Sequence, residues 1–305
     1  MDNLDEAHRL ATLRLEARTK KDWQEADRLR DEIAALGYKV LDTPEGFSLE
    51  VVTYQVLATV NDLKSNSIHF KNDETAVCLL VDGWLTDSLD AITRILQHTT
   101  FPIAILDLSQ DEELHGALFE LSQQHKNRLE VVILNQSLTD IGWALAYNQL
   151  IAAVSTQNVV VMDISTLLEG DAISLLREQL SNHIAAVGWK GANVSADWLS
   201  FDAAVGAVDA LLSYLFIVKR DVFLKYPFDP KAKFYRNADL EWSLQVRTAG
   251  FSLYAISEEL PCTQGRHHGY HDSDEEYRSR ESKRNYDRLL SKFRGNADLL
   301  LQRNA

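Results

Sequence analysis

The chain has 305 residues, 46% hydrophobic and 25% charged, the proportions of a globular protein with room for one large domain and an appendage. Its 45 acidic and 31 basic residues leave a net charge of −14, which repels phosphate backbones and anionic bilayers and argues against a nucleic-acid partner. Cys78 and Cys262 lack metal-ligand spacing, no apolar run approaches the roughly 20 residues of a membrane span, and the acidic start MDNLDEAHRL is not a signal peptide, so a cytoplasmic location is expected.

In chain order, DEAHRLATLRLEART and KDWQEADRLRDEIAALG predict two charged amphipathic helices. Asp22 caps the second and Glu25 completes a capping box, while Trp23, Ala26, Leu29, Ile33 and Leu36 form one apolar stripe. Gly37 supplies the left-handed stop. YKVLDTPEGFSLEVV then predicts two extended runs around a Pro-Glu-Gly turn. Residues 1–50 read as a helical hairpin with a β-turn tail, and residues 51–74 as an extended linker.

From about residue 75 the apolar runs AVCLLVDGW, PIAILDLS, EVVILNQS and NVVVMDIS alternate with segments of helical period. Runs without polar alternation belong to a parallel sheet covered on both faces, so residues 75–260 predict a doubly wound α/β domain. Ligands in such sheets bind beyond the carboxyl ends of the strands, an expectation that puts Asp82, Asp107, Asn135 and Asp163 at the functional edge. Further on, HIAAVGWKG and LLSYLFIVKRDVFLKY predict strands, the second running into a short helix at 219–226. ADLEWSLQVRTAG predicts a helix ended by Gly250, and FSLYAISEEL a strand. Residues 261–305 hold the loop RHHGYH and a last helix around KRNYDRLLSKF.

Four stretches in order carry a resemblance: the strand ends with Asp82 and Asp107, DIGWALAYNQLIAAVSTQNVVVMDIS, FIVKRDVFLKYPFDPKAKFYRNADLEWSLQVRTAGF, and LPCTQGRHHGYHD. Over residues 75–290 this resembles the family 2 glycosyltransferases, which have the GT-A nucleotide-sugar fold. Gly142, Ala146 and Asn148 match that family's helix, and Asp163 the first carboxylate of its Asp-x-Asp metal motif. Arg220, Phe223, Phe228, Asp229, Asp239, Leu240, Arg247 and Gly250 match the rest. The resemblance implies transfer of a sugar, with inversion, from a nucleotide-diphosphate donor to an unknown acceptor. Asp82, Asp107, Asn135, Asn148 and Ser165 would contact the donor, and Asp163 with His267 and His268 would hold Mg²⁺ or Mn²⁺. Such a cation neutralises the leaving diphosphate.

The chain departs from the pattern twice. The metal motif reads Asp163-Ile164-Ser165, a hydroxyl in place of the second carboxylate. Where the family has Glu-Asp-x-Asp-Leu the chain reads Arg236-Asn237-Ala238-Asp239-Leu240, so the usual base position falls on an amide that accepts no proton. Asp239 or Glu241 is then the expected base, with Asn237 beside it. A catalytically degenerate protein that binds nucleotide or glycan as a scaffold is the alternative. Residues 14–50 resemble a second family, the C-terminal helical region of cysteinyl-tRNA synthetases, through KDWQEADRLRDEIAALG and DTPEG. The chain has no His-Ile-Gly-His or Lys-Met-Ser-Lys-Ser motif, so the hairpin is expected to serve packing or homo-oligomer formation rather than aminoacylation.

Overall fold

Burial follows the apolar runs. A computed structural model describes residues 3–36, 38–44, 46–51, 56–65, 67–70, 74–256 and 259–301. Gly37 and Glu45, expected in the helix stop and in the turn, lie outside them.

The N-terminal part holds α1 (Asn3–Thr19), α2 (Trp23–Ala35) and the antiparallel pair β1 (Tyr38–Thr43) and β2 (Gly46–Val51). Leu10, Ala11, Ala26, Leu29 and Ile33 form its buried cluster. Asp22 accepts from the Glu25 N–H at 3.2 Å, but the Glu25 carboxylate pairs with Arg28 instead of turning back to the cap. The capping box is therefore half made. Trp23 leaves the expected stripe: it is 56% exposed, with the Arg18 guanidinium 5.4 Å from its ring centre.

The remaining strands are β3 (Val56–Leu57), β4 (Thr75–Val81), β5 (Ile103–Asp107), β6 (Leu129–Leu134), β7 (Asn158–Met162), β8 (Thr166–Leu168), β9 (Ile184–Gly188), β10 (Gly191–Val194), β11 (Phe201–Ala204), β12 (Gly206–Val208), β13 (Ala210–Leu211), β14 (Leu215–Lys219), β15 (Ser252–Ala255) and β16 (Cys262–Gln264). The helices are α3 (Leu85–His98), α4 (Glu112–Gln124), α5 (Leu138–Ile141), α6 (Trp143–Ala153), α7 (Ala172–Glu178), α8 (Arg220–Lys225), α9 (Ala238–Thr248), α10 (His268–His271) and α11 (Glu275–Phe293).

Nine strands form one sheet in the order β12-β15-β9-β14-β7-β4-β5-β6-β3. β14 runs antiparallel to both neighbours and β12 antiparallel to β15; the other pairs are parallel. Alternate residues of β4 enter opposite clusters: Ala76, Cys78 and Leu80 pack with α6, and Val77, Leu79 and Val81 with α3, α4 and α7. That division is why the run shows no polar alternation. The expected linker does more than connect. Val56–Leu57 adds the edge strand beside β6, and Leu57, Val60, Leu63 and Ile68 are buried in the main core. Among the described residues no helix is long and apolar enough to cross a membrane.

The C-terminal segment is likewise built into the core, because α11 lies along α9. Leu289 and Phe293 pack with Leu240, Leu244 and Trp198. Glu241, only 1% exposed, accepts from Arg288 and Lys292, which also reach Asp229. Removing one member of a buried charge cluster strands the others. Arg288→Met is therefore expected to lower unfolding free energy by about 3 kcal/mol in urea denaturation, with the midpoint shifted and the slope unchanged.

Candidate active site

The strand order reverses between β4 and β7, and this switch point selects among the four predicted strand-end residues. Asp82 follows β4 and Asp163 follows β7, so the two stand on adjoining strand ends and line one pocket. Asp107 ends β5, one strand away, and is fully buried. Its Oδ1 accepts from the Ser109 N–H, and its Oδ2 lies 3.5 Å from His115 Nε2. Asn135 follows β6, exposed, with its backbone N–H on the Leu57 carbonyl. Neither lines the pocket.

Asp163 is held in a fixed orientation. Its Oδ1 accepts from the Ser165 N–H at 2.8 Å and from the Ser165 hydroxyl. Ser165, 3% exposed, thus positions the Asp163 carboxylate. Asp163 Oδ2 is turned the other way, 3.7 Å from His267 Nε2. Asn148 is also a scaffold residue in this arrangement: its amide donates to the Phe228 carbonyl and accepts from the Phe228 N–H, at 2.9 and 3.1 Å. Among the described residues no three His, Cys, Asp or Glu side chains converge as a metal-binding group.

The pocket at Asp82 and Asp163 measures only ≈ 100 Å³ because the chain roofs it with its own residues. His268 forms the latch. Its Nε2 lies 2.5 Å from Asp87 Oδ2, its Nδ1 2.7 Å from Asp272 Oδ2, and its ring stacks on Trp84 at 4.1 Å. Both of its ring nitrogens are thus taken up by carboxylates in this arrangement. Hydrogen bonds from Arg266 and His268 hold the Asp272 carboxyl well below its usual range. Asp82 meets solvent at the pocket wall. Even so, the protein around it, and then the Asp163 charge, push its carboxyl up to about 6.

A second pocket, ≈ 340 Å³, adjoins the first across Tyr235 and His267, which line both and stack at 4.5 Å. Of the predicted catalytic residues, Asn237 and Asp239 line it and Glu241 does not, being held by α11. Asn237 has φ 67°, and its amide donates to the Ser282 carbonyl. Asp239 is 5% exposed. Its Oδ2 accepts from the Ser213 N–H and hydroxyl, and its Oδ1 from the Leu240 N–H. Burial outweighs those bonds and pushes its carboxyl up to about 6.

The loop before Tyr235 is fixed by Gly142, at φ 92°. A Cβ there would stand 3.1 Å from Lys233 Cα, and its absence lets the Trp143 and Ala144 N–H groups reach the carbonyls of Lys233 and Ala232. Sequence reasoning missed Trp84, Asp87, Tyr214, Tyr235 and Asp272 as site residues. Trp84, Tyr214, Tyr235 and Asp272 sat inside quoted stretches, whereas Asp87 meets the site only through its long-range contact with His268.

Residues 4–46 match the family described as the cysteinyl-tRNA ligase anticodon binding domain. Over 35 residues the chain is 51% identical to a cysteine–tRNA ligase of Phocaeicola vulgatus, covering 12% of this chain and 7% of that one. It is 54% identical over 41 residues to the ligase of Caldicellulosiruptor saccharolyticus, covering 13% and 9%. Among solved structures it is similar to GalNAc-T7 with UDP, GalNAc and Mn²⁺, with a TM-score of 0.57 and 14% identity over 72% of this chain and 48% of that one. It is also similar to a mannosyltransferase from Pyrobaculum calidifontis in complex with GDP-Man and Mn²⁺, with a TM-score of 0.53 and 14% identity over 70% and 64%. The chain thus spans less than a tenth of those ligases and less than two thirds of those solved chains. Its α/β unit has the GT-A fold.

Asp239 predicts a pH signature. Its native carboxyl, raised from 3.8 to about 6, holds a proton more tightly than the unfolded chain does. That contribution is full below about pH 4 and is lost as pH rises through about 6. The stability difference between the wild type and Asp239→Asn should therefore shrink, by on the order of 3 kcal/mol, between pH 4 and pH 7.5 in urea denaturation.

Proposed function

We propose that the chain is a glycosyltransferase that takes a sugar from a nucleotide-diphosphate donor seated at Asp82 and Asp163. The observation that carries this reading is the Asp163 carboxylate, pinned through one oxygen by Ser165 with the other free toward His267, at the switch point of a GT-A sheet. The nucleotide sugars and Mn²⁺ named with the two structural neighbours support it. Asp163 Oδ2 and His267 Nε2 supply one carboxylate and one imidazole ligand, and diphosphate oxygens and water complete a hard cation's shell. The raised Asp82 carboxyl fits such a site, since a nearby dication relieves its repulsion from Asp163. A bound Mg²⁺ or Mn²⁺ neutralises charge on the departing diphosphate.

The chain's own residues do the rest. Asp82, on the pocket wall, would contact the nucleoside, and Trp84 would offer it an aromatic face once the stack with His268 opens. Pockets for ligands of this size run to about 300–1,000 Å³, so the His268 latch must swing away before a donor enters. Asp239 is the one predicted base that reaches the acceptor pocket, and inversion would require it to take a hydroxyl proton. Its three accepted hydrogen bonds and the narrow donor pocket favour the second reading, a scaffold that binds without transfer. The N-terminal hairpin is assigned to packing or homo-oligomer formation: its charges are largely spent on one another, as in the pairs of Arg9 with Glu6 and Arg28 with Glu25.

Calorimetric titration with UDP, GDP and their sugars, with and without Mn²⁺, tests the donor site. Binding should tighten at least tenfold with Mn²⁺, and Asp163→Asn should remove that gain. Nucleotide binding that ignores both metal and Asp163 would defeat the assignment, and binding without turnover across a donor panel would leave the scaffold. Asp87→Asn, which weakens the latch and leaves the strand-end carboxylates intact, should speed donor association several-fold in stopped-flow fluorescence of Trp84.

A further inference from the structure

Arg236 and Asn237 stand where the resembled pattern carries Glu and Asp, so the lip of the acceptor pocket has changed sign as well as lost its base. Arg236 is exposed there, and among the described residues it has no carboxylate partner; its guanidinium sits 5.6 Å from the Tyr270 ring centre. Exposed arginines elsewhere in this acidic chain do find carboxylates, as Arg28, Arg266 and Arg284 show. His271 lies on the same wall. Tyr214 and Tyr235 line the interior and bring phenol O–H groups, which can donate hydrogen bonds. On the floor, Asp239 has both oxygens committed to Ser213 and Leu240.

A pocket with a free guanidinium, phenol donors, two imidazoles and no uncommitted carboxylate presents hydrogen-bond donors rather than a carboxylate base to what enters it. It is well made for an oxyanion. We propose that the acceptor's attacking atom is an oxygen already ionised in solution, a phosphate or a carboxylate, oriented by Arg236. This inference rests on the donor reading above, and it removes the need for a general base. The acceptor oxygen's lone pair forms the new bond to the anomeric carbon as the bond from that carbon to the donor's β-phosphate oxygen breaks. The electron pair of the broken bond leaves on the nucleoside diphosphate. With a phosphate dianion or a carboxylate as nucleophile no proton moves. Inorganic phosphate gives a sugar 1-phosphate and a nucleoside diphosphate, and a carboxylate gives a glycosyl ester.

The full chain, with Mn²⁺ and a nucleotide sugar shown by calorimetry to bind, is supplied in turn with inorganic phosphate, acetate and glycerol. Nucleoside diphosphate release and ³¹P spectra are then followed. Phosphate or acetate should speed release at least tenfold over glycerol, and the two arms separate the phosphate from the carboxylate source. With phosphate the rate should fall only as the dianion protonates, near pH 6 to 7. Arg236→Gln should raise the KM for the anion at least tenfold while donor affinity stays unchanged. Equal rates with glycerol overturn the proposal, as does loss of donor affinity in Arg236→Gln, which would place the guanidinium on the donor's own diphosphate. Failure of every nucleotide sugar to bind removes the donor reading and this inference together; binding without an anion effect removes this inference alone.

Discussion

Two carboxylates on adjoining strand ends repel each other, and the strands that carry them cannot move apart. Asp82 and Asp163 are set by the parallel pairing of β4 with β7, a register fixed by residues buried on both faces. The rest of the site answers that repulsion. Ser165 neutralises part of one carboxylate with an N–H and a hydroxyl, His267 faces its other oxygen, and the His268 latch closes over both. Sheet geometry creates the charge problem, and the C-terminal segment supplies the answer from more than a hundred residues away.

Many residues that match the glycosyltransferase pattern prove to hold the scaffold in place. Arg220 donates to the carbonyls of Ile151 and Ala152 at the end of α6, where a cation meets the negative end of the helix. Asn148 ties the middle of α6 to Phe228, and Asp229 ties the next loop to Lys292. Arg247 caps the chain end through the Leu299 carbonyl. These positions keep α6, α9 and α11 in register around the larger of the two pockets described, so their order along the chain reports the fold more directly than the chemistry.

Legibility in the sequence followed the range of the interactions. The four central strands were readable because burial on both faces leaves no polar alternation, and Asp163 because a strand end is a local feature. Which strand ends share a pocket depends on strand order, which periodicity does not encode. Asp107 and Asn135 looked equivalent to Asp82 for that reason, yet β5 and β6 carry them away from the switch point. Val56–Leu57 was too short to show a period, and only pairing with β6 makes it a strand. His268 was visible within RHHGYH, but its partner Asp87 lies 181 positions away. Nothing local marks that contact. Residues 14–50 were legible as resembling the synthetases' helical region because the likeness is contiguous and high, and the family match covers residues 4–46.

The ease with which the roof can open follows from how its two ends are anchored. On one side β16 pairs with β8 through Cys262, Thr263 and Gln264. On the other, α11 is capped by Asp274 and locked to α9 by the buried Glu241 cluster. Only residues 265–273 lie between, tied to the body by the Gly265 N–H on the Ser165 carbonyl, by His267 against Tyr235 and Asp163, and by His268 on Asp87, whose side chain is 53% exposed. Ion pairs that reach solvent are worth about 1 kcal/mol or less, whereas stranding Glu241 costs several times that. The segment is therefore a short strap held at one end by strand pairing and at the other by a buried charge cluster.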